Sequence, residues 1–233
     1  MADEIRERLA VVKERIELAA QRAGRTGADV TLVAVSKTVE AAVIQRAVDA
    51  GVRDLGENRV QEALRKAPQV SGSGLRWHLI GHLQSNKARS AVATFDTIHS
   101  VDSVELARGL DRVAGQIGRR PRVLAQLKVS EEATKSGAEE ETLGSIIETL
   151  DAAQHLDLKG LMAIPPAVES AEEARPYFRR LRLMLEDLNR SRTSECKLTE
   201  LSMGMSHDFE IAIEEGATMV RVGTAIFGSR QKA

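Results

Sequence analysis

Apolar residues recur at Ile5, Leu9, Val12, Ile16 and Ala20, the spacing of one helix face, and predict an amphipathic helix from residue 3 to about 23, ended by Gly24. Beyond it the rhythm changes. The short apolar runs TLVAVS, RDLGEN, RWHLIGHL, TIHSV, RVLAQLKVS, LDLKGLMAI, KLTELSM and MVRVGTAIF read as strands. Between them lie helical patterns such as VEAAVIQRAVDAG, SVELARGLDRVAGQI, EEETLGSIIETLDAAQ, RPYFRRLRLMLEDLNR and HDFEIAIEEGA. Strands separated by helices predict repeated βαβ units and a parallel sheet. Eight strands can also close on themselves, and several runs are apolar on both faces, as a sheet covered by helices requires. The expected fold is therefore of the α/β class, a (β/α)8 TIM-type barrel with an extra N-terminal helix and no second domain; an open doubly wound sheet is the alternative. The chain ends soon after the eighth strand, so residues 1–24 are expected to cover that part of the wall in place of a full eighth helix. No Pro/Gly/Ser linker divides the sequence, and residues 1–233 read as one domain, with SGSG at 71–74 an ordinary exposed loop.

Charge narrows the partners. Lys+Arg number 33 against Asp+Glu 34, so no global basic field points to nucleic acid or to a membrane surface. The single cysteine, Cys196, rules out an intramolecular disulfide and fits a reducing compartment. The first 25 residues, MADEIRERLAVVKERIELAAQRAGR, are charged throughout and form neither a signal peptide nor a span. A cytoplasmic protein is expected.

In a parallel barrel the functional face is built from the C-terminal ends of the strands and the loops that follow. That rule selects Lys37 after the first strand, Glu57 and Asn58 after the second, and His82 and Gln84 after the third. It adds Lys135 after the fifth, Ser206 after the seventh, and Arg221 to Thr224 at the eighth. Arg221 lies between two valines in a strand covered on both faces, where an uncompensated guanidinium would be costly. It needs an acceptor, either a carboxylate on a neighbouring strand or a ligand atom at the barrel's centre. Gly204 and Ser206 precede a helix, and Gly223 and Thr224 follow the last strand; free backbone N–H groups in such loops make phosphate sites. A lysine in a partly desolvated pocket near another cation can attack an aldehyde. An aldehyde that carries a phosphate and a ring nitrogen would engage all three features, and pyridoxal phosphate is such a molecule.

Other chemistries find less support. His78 and His82 resemble an HxxxH metal pair, yet four residues along a strand span ~13 Å, too far for one ion. Neither HExxH nor a Cys/His cluster is present, and no P-loop or GxGxxG fingerprint opens a helix. The six methionines are mostly apolar filler, although Met203 and Met205 flank Gly204, where one of them would line the mouth.

Taken together, TLVAVSK, DLGENRVQEA, WHLIGHLQSNKAR, IHSVDS, TKSG, LKGLMAIPP and LSMGMSHDFEIAIEEGATMVRVGTAIFG resemble the pyridoxal phosphate homeostasis protein family, relatives of the alanine racemase barrel. The match runs from the first helix to the last strand. The resemblance implies pyridoxal 5'-phosphate bound as a Schiff base to Lys37, with Arg221 facing the pyridine nitrogen. It further implies that Ser206, Gly223 and Thr224 hold the phosphate, that Asn58 and Met203 lie near the ring, and that Lys135 is a basic residue at the mouth. Arg59, where many relatives have tyrosine, and His82, at a position that varies, depart from the pattern; they bear on mouth contacts, not on the cofactor.

Arginine stays protonated, so a ring nitrogen that accepts its hydrogen bond carries no proton and the ring is a poorer sink for carbanion charge. This argues against transamination and decarboxylation, and leaves racemisation or cofactor storage. Two-base racemisation needs a second acid/base, which in the racemases is a tyrosine from an additional domain and a dimer partner. The only tyrosine, Tyr177, falls in an outer amphipathic helix, and His82 or His207 are the internal substitutes. The expected function is accordingly pyridoxal phosphate storage and delivery, possible recipients being pyridoxal phosphate-dependent apo-enzymes, by a monomer; amino-acid racemisation is the alternative.

Overall fold

The computed structural model describes residues 2–129, 137–193 and 196–228. Helix α1 (Ala2–Arg22) leads into β1 (Thr31–Val35), α2 (Ala41–Asp49), β2 (Asp54–Glu57), α3 (Val60–Lys66) and β3 (Arg76–Leu79). The chain continues through α4 (Ala88–Thr94), β4 (Thr97–Val101), α5 (Val104–Ile117), β5 (Arg122–Leu127), α6 (Glu140–Asp151) and β6 (Asp157–Ala163). It closes with α7 (Arg175–Arg190), β7 (Glu200–Met205), α8 (Phe209–Glu214), β8 (Met219–Val222) and α9 (Thr224–Phe227). Among the described residues the eight strands form one closed parallel barrel in sequence order. Closure is made by β1 and β8, in register from Thr31 opposite Met219 to Ala34 opposite Val222. The open-sheet alternative is thereby excluded.

Helix α1 does what its periodicity predicts. Ile5, Leu9, Val12, Ile16 and Ala20 are all buried, and Gly24 takes a left-handed φ of 68° that ends the helical run. The helix packs against α2, α8 and α9. Since α8 and α9 are short, with 6 and 4 residues, α1 supplies the wall they lack. Arg15 fixes it there with two bonds to Glu210, of 2.7 and 2.8 Å, and its guanidinium stacks 4.7 Å from the Phe209 ring centre.

Alternation along the strands separates two interiors. Ala34, Leu55, Leu79, Ile98, Val123, Leu161, Leu201 and Val220 join the main apolar cluster between sheet and helices. The barrel's inside is unlike the branched apolar filling common in such folds. A small plug of Leu124, Met162 and Met219 shares it with buried Asp54, His78, His99, Gln126, Ser202 and Arg221. The largest shortfalls from the apolar runs are in β3 and β8. β3 stops at Leu79, leaving IGHL in the following loop, and β8 stops at Val222, after which TAIF turns into α9.

Asp54 shows how these interior charges bear on stability. Burial raises its pKa, but bonds from His78 and Arg76 outweigh that and hold it at about 2, below its ordinary 3.8. A carboxyl depressed in the folded state contributes stability that is complete above its unfolded pKa and is lost as the pH falls through the folded one. Stability is therefore expected to drop by about 2 kcal/mol between pH 4 and pH 2 from this residue. Urea titrations across that range should show the slope, and Asp54→Asn should flatten it.

Candidate functional site

A cavity of about 970 Å³ opens at the C-terminal mouth of the barrel, lined among others by Val35, Lys37, Asn58, Ile80, His82, Ser206, His207, Arg221, Gly223 and Thr224. Lys37 stands in the turn just past β1, and the residues on either side of it are tied into one charged cluster. Ser36 Oγ donates to Glu57 Oε1 at 2.6 Å. Lys66 Nζ, on a side chain only 3% exposed, donates to Ser36 O, Glu57 Oε1 and Glu62 Oε2, each at 2.8 Å. Glu62 Oε2 in turn accepts the Thr38 N–H at 2.9 Å. Thr38 has φ 63°, a left-handed backbone that a β-branched residue adopts at a cost of about 1–3 kcal/mol. The Glu62 bond, with Thr38 Oγ1 donating to Lys37 O at 2.6 Å, holds it there. Lys37 is thus clamped through its neighbours.

Glu57, expected at the mouth, is instead fully buried. As the last residue of β2 it turns toward the helix layer. Burial pushes its carboxyl above the ordinary range against the opposing bonds from Lys66 and Ser36. Glu62 and Lys66 stand at i and i+4 on α3, a spacing usual for a surface helix pair, and nothing in QEALRK marks Lys66 as interior.

Arg221 is 3% exposed. It donates from Nη1 to Ser202 Oγ at 2.7 Å and from Nη2 to Ala163 O at 2.9 Å. Burial draws its pKa down from 12.5 to about 10, partly countered by Asp208, which leaves it protonated at neutral pH. The two bonded partners named are neutral acceptors, so the direct ion pair with a neighbouring strand's carboxylate does not form.

The loop after β7 is shaped by Asp208, whose Oδ1 accepts the Met205 N–H at 2.6 Å and so folds the Met205–Asp208 turn that presents Ser206. Ser206 Oγ accepts the Gly223 N–H at 3.2 Å, joining the loops after the seventh and eighth strands. A Cβ on Gly223 would stand 3.2 Å from Val35 O, so glycine lets this rim close onto β1. Across the mouth a Cβ on Gly81 would fall 2.3 Å from Asn58 O; Gly81 is what lets the loop after β3 press on Asn58.

Met203, expected near the ring, is instead fully buried in the outer apolar cluster because Ser202 takes the inward position of β7, and Met205 lines the cavity. Gly204, with φ 90°, breaks the strand alternation between them. Gln84 lies aside, in an adjoining hollow that also includes His82, Asp102 and Ser103. Arg59 is exposed at the start of α3 and is absent from the cavity lining. Lys135 lies outside the described residues. His78 and His82 are separated as strand geometry requires: the first is inside the barrel, 2.8 Å from Asp54 Oδ1, and the second is at the mouth, 3.2 Å from Asp102 Oδ2. Tyr177, on α7, packs against the outer cluster.

The donor set fits pyridoxal phosphate. One cavity offers a primary amine, a buried guanidinium for a ring nitrogen, and a rim of hydroxyls and backbone N–H groups closed by a glycine that a side chain would spoil. Among the described residues no group of three or more His, Cys, Asp or Glu could hold a metal, and no helix is long and apolar enough to cross a membrane.

Known proteins agree with this geometry. The family model described as alanine racemase, N-terminal domain, matches residues 8–231. Proteins named pyridoxal phosphate homeostasis protein are 46% identical in Pseudomonas aeruginosa (97% of this chain, 96% of that one) and 44% identical in Aquifex aeolicus (97% and 98%). PipY of Synechococcus elongatus is 43% identical, over 96% of this chain and 100% of PipY; its structure without pyridoxal phosphate superposes with a TM-score of 0.87, and that with pyridoxal phosphate bound with 0.84. An alanine racemase of Clostridium difficile, 19% identical, shares the fold with a TM-score of 0.73 over 99% of this chain and 60% of its own.

Proposed function

Because the chain belongs to the pyridoxal phosphate homeostasis protein family, within the alanine racemase N-terminal domain family, we propose that it binds pyridoxal 5'-phosphate covalently at Lys37, and stores and delivers it in the cytoplasm as a monomer. The observation that carries this reading is the convergence of Lys37, the buried Arg221 and the Ser206–Gly223–Thr224 rim on one cavity. PipY, a relative of nearly the same length, has been solved with pyridoxal phosphate bound.

When bound, the cofactor supplies an aldehyde carbon for capture and a ring able to accept charge. The protein's own groups divide the work around it. Lys37 Nζ is the amine that would hold the aldehyde carbon, and the clamp on Ser36 and Thr38 fixes where that amine starts. Arg221, protonated and already oriented by Ser202 and Ala163, would donate to the ring nitrogen and so leave it without a proton. Ser206, Thr224 and the Gly223 backbone would take the phosphate, and Asn58 would border the ring. An arginine partner disfavours carbanion chemistry, which supports storage and delivery over amino-acid turnover.

Racemisation remains the second reading because His82, paired with Asp102, and His207 line the same cavity as Lys37. The visible spectrum before and after borohydride reduction, with peptide mapping, tests the binding reading: a yellow band fixed onto Lys37 supports it, and a colourless protein that takes up no added pyridoxal phosphate overturns it. Exchange of the α-proton of alanine in D2O separates the two functions, since sustained exchange favours the racemase.

Replacing Arg221 tests its assigned role. Burying this charge costs about 3 kcal/mol, judged from the fall of its pKa from 12.5 to about 10. The two bonds it makes return about 1 kcal/mol each. Arg221→Met is therefore expected to keep thermal stability within about 1 kcal/mol of the parent, while the absorption band of the bound cofactor shifts. Unfolding without a spectral change would make the arginine a structural partner only.

A further inference from the structure

The buried polar residues on the barrel's inside form a single file. Arg221 Nη1 meets Ser202 Oγ at 2.7 Å, Ser202 Oγ meets His99 Nδ1 at 2.8 Å, His99 Nε2 meets His78 Nδ1 at 2.9 Å, and His78 Nε2 meets Asp54 Oδ1 at 2.8 Å. Arg221 lines the cavity at the C-terminal mouth, whereas Asp54 begins β2 and lines a hollow of about 420 Å³ at the opposite end. The links join β8, β7, β4, β3 and β2, so the file crosses the whole interior.

Chemistry fixes its direction. Asp54 is ionised at neutral pH and can only accept, so His78 must carry a proton on Nε2. Arg221 can only donate, and it fills one lone pair of Ser202 Oγ. The Ser202 proton then finds its acceptor in His99 Nδ1, which puts the His99 proton on Nε2, where it is donated to His78 Nδ1. Each hydrogen-bonding group in the file is used once in the sense it allows, and both imidazoles are neutral. Burial is the largest cause that holds the His99 pKa well below the ordinary histidine value, in accord with a neutral His99. The opposite order requires a charged His78 and leaves the Ser202 proton without an acceptor in the file, while burying a cation on a carboxylate that the partly exposed Arg76 already pairs.

We propose that Ser202, His99, His78 and Asp54 form one directed hydrogen-bond relay that delivers a carboxylate counter-charge across the barrel to Arg221, and that they are positioning residues for its guanidinium. Arg221 bonds no carboxylate directly among the described residues; the file it heads ends on one, Asp54, three neutral links away. Chains of this kind polarise one another in a low-dielectric interior, so a change at Asp54 reaches the cofactor-side arginine without touching the cavity. The consequence for the cofactor rests on the binding role given to Arg221 above; the proton order does not.

The first measurement is nitrogen NMR of the histidine rings in the cofactor-free, labelled full chain at neutral pH, with His99→Phe and His78→Phe used for assignment. Both rings are expected neutral, with the proton on Nε2. A proton on Nδ1 of His99, or a charged His78, overturns the relay whatever the cofactor turns out to be. The second measurement titrates pyridoxal phosphate into Asp54→Asn and Arg76→Ala variants. Asp54→Asn, which keeps an acceptor but loses the charge, is expected to weaken binding roughly five-fold and to shift the bound band. Arg76→Ala, which removes the partly exposed guanidinium bonded to the same carboxylate, is expected to leave affinity and band unchanged. Unchanged affinity and band in Asp54→Asn, or equal effects in the two variants, would overturn the coupling.

Discussion

With Lys37 replaced by alanine, pyridoxal phosphate is no longer fixed to the protein by borohydride reduction, and the loss is complete, not partial. The chain still folds, with unfolding free energy within about 1 kcal/mol of the parent, because Lys37 sits in a turn whose course is set by its neighbours. Ser36 and Thr38 hold the backbone through Glu57, Lys66 and Glu62, and those bonds do not use the Lys37 side chain. Residual binding through the phosphate rim and Arg221 persists, weaker and without the covalent band. Absorption spectroscopy, calorimetric titration and peptide mass after reduction check all three statements. A reduced adduct recovered on another lysine would sink the assignment.

Lys66→Met carries the largest stability loss. Its ammonium is buried among three oxygens, and removing it strands the Glu57 carboxylate, itself fully buried with Oε2 already unpaired. Breaking a buried pair from one side costs about 3–5 kcal/mol, a large share of the 5–15 kcal/mol that holds a typical domain. The Glu57→Leu, Lys66→Met double variant should recover most of this, since two apolar groups of similar volume need no counter-charge. Stability alone is not the point of the clamp. Both variants loosen Ser36 and Thr38, so covalent capture at Lys37 should be slower in the double variant although its unfolding midpoint is near that of the parent. If capture proceeds at the parental rate in a stable double variant, the cluster is only structural.

The parts of the fold legible in the sequence are those governed by local period. The five apolar positions of α1 are all buried, and the strand runs fall where the barrel has strands, because a parallel sheet under helices leaves a run of consecutive apolar residues. The misreadings come where a run outlasts its strand. Ile80 looks like a third apolar residue of β3, yet the chain has already left the sheet so that Gly81 can press on Asn58. TAIF, as apolar as the residues before it, starts a helix once Gly223 has turned the chain. The resemblance points Met203 toward the ring, but the left-handed Gly204 breaks the alternation and Met205 lines the cavity instead.

The site divides in the same way. Lys37, Asn58, Ser206, Arg221, Gly223 and Thr224 share one cavity lining, as the strand-end rule and the resemblance lead one to expect. The clamp and the axial file were not legible. Each depends on partners far apart in the chain, 103 positions between His99 and Ser202 and 30 between Lys66 and Ser36. A histidine in TIHSV or a lysine in QEALRK shows nothing of its partner until the barrel closes.

That closure has a consequence for how the chain is made. β1 completes its hydrogen bonding only against β8, with Thr31 opposite Met219, and α1 finds its wall only when α8 and α9 are present. The first barrel strand to be made therefore keeps one edge unpaired until the eighth has been made, the exposure that invites pairing with a neighbouring chain. Contacts of such long separation also make folding slow. Nascent chains of this protein should depend on chaperones until the last strand emerges, and finished ones should not.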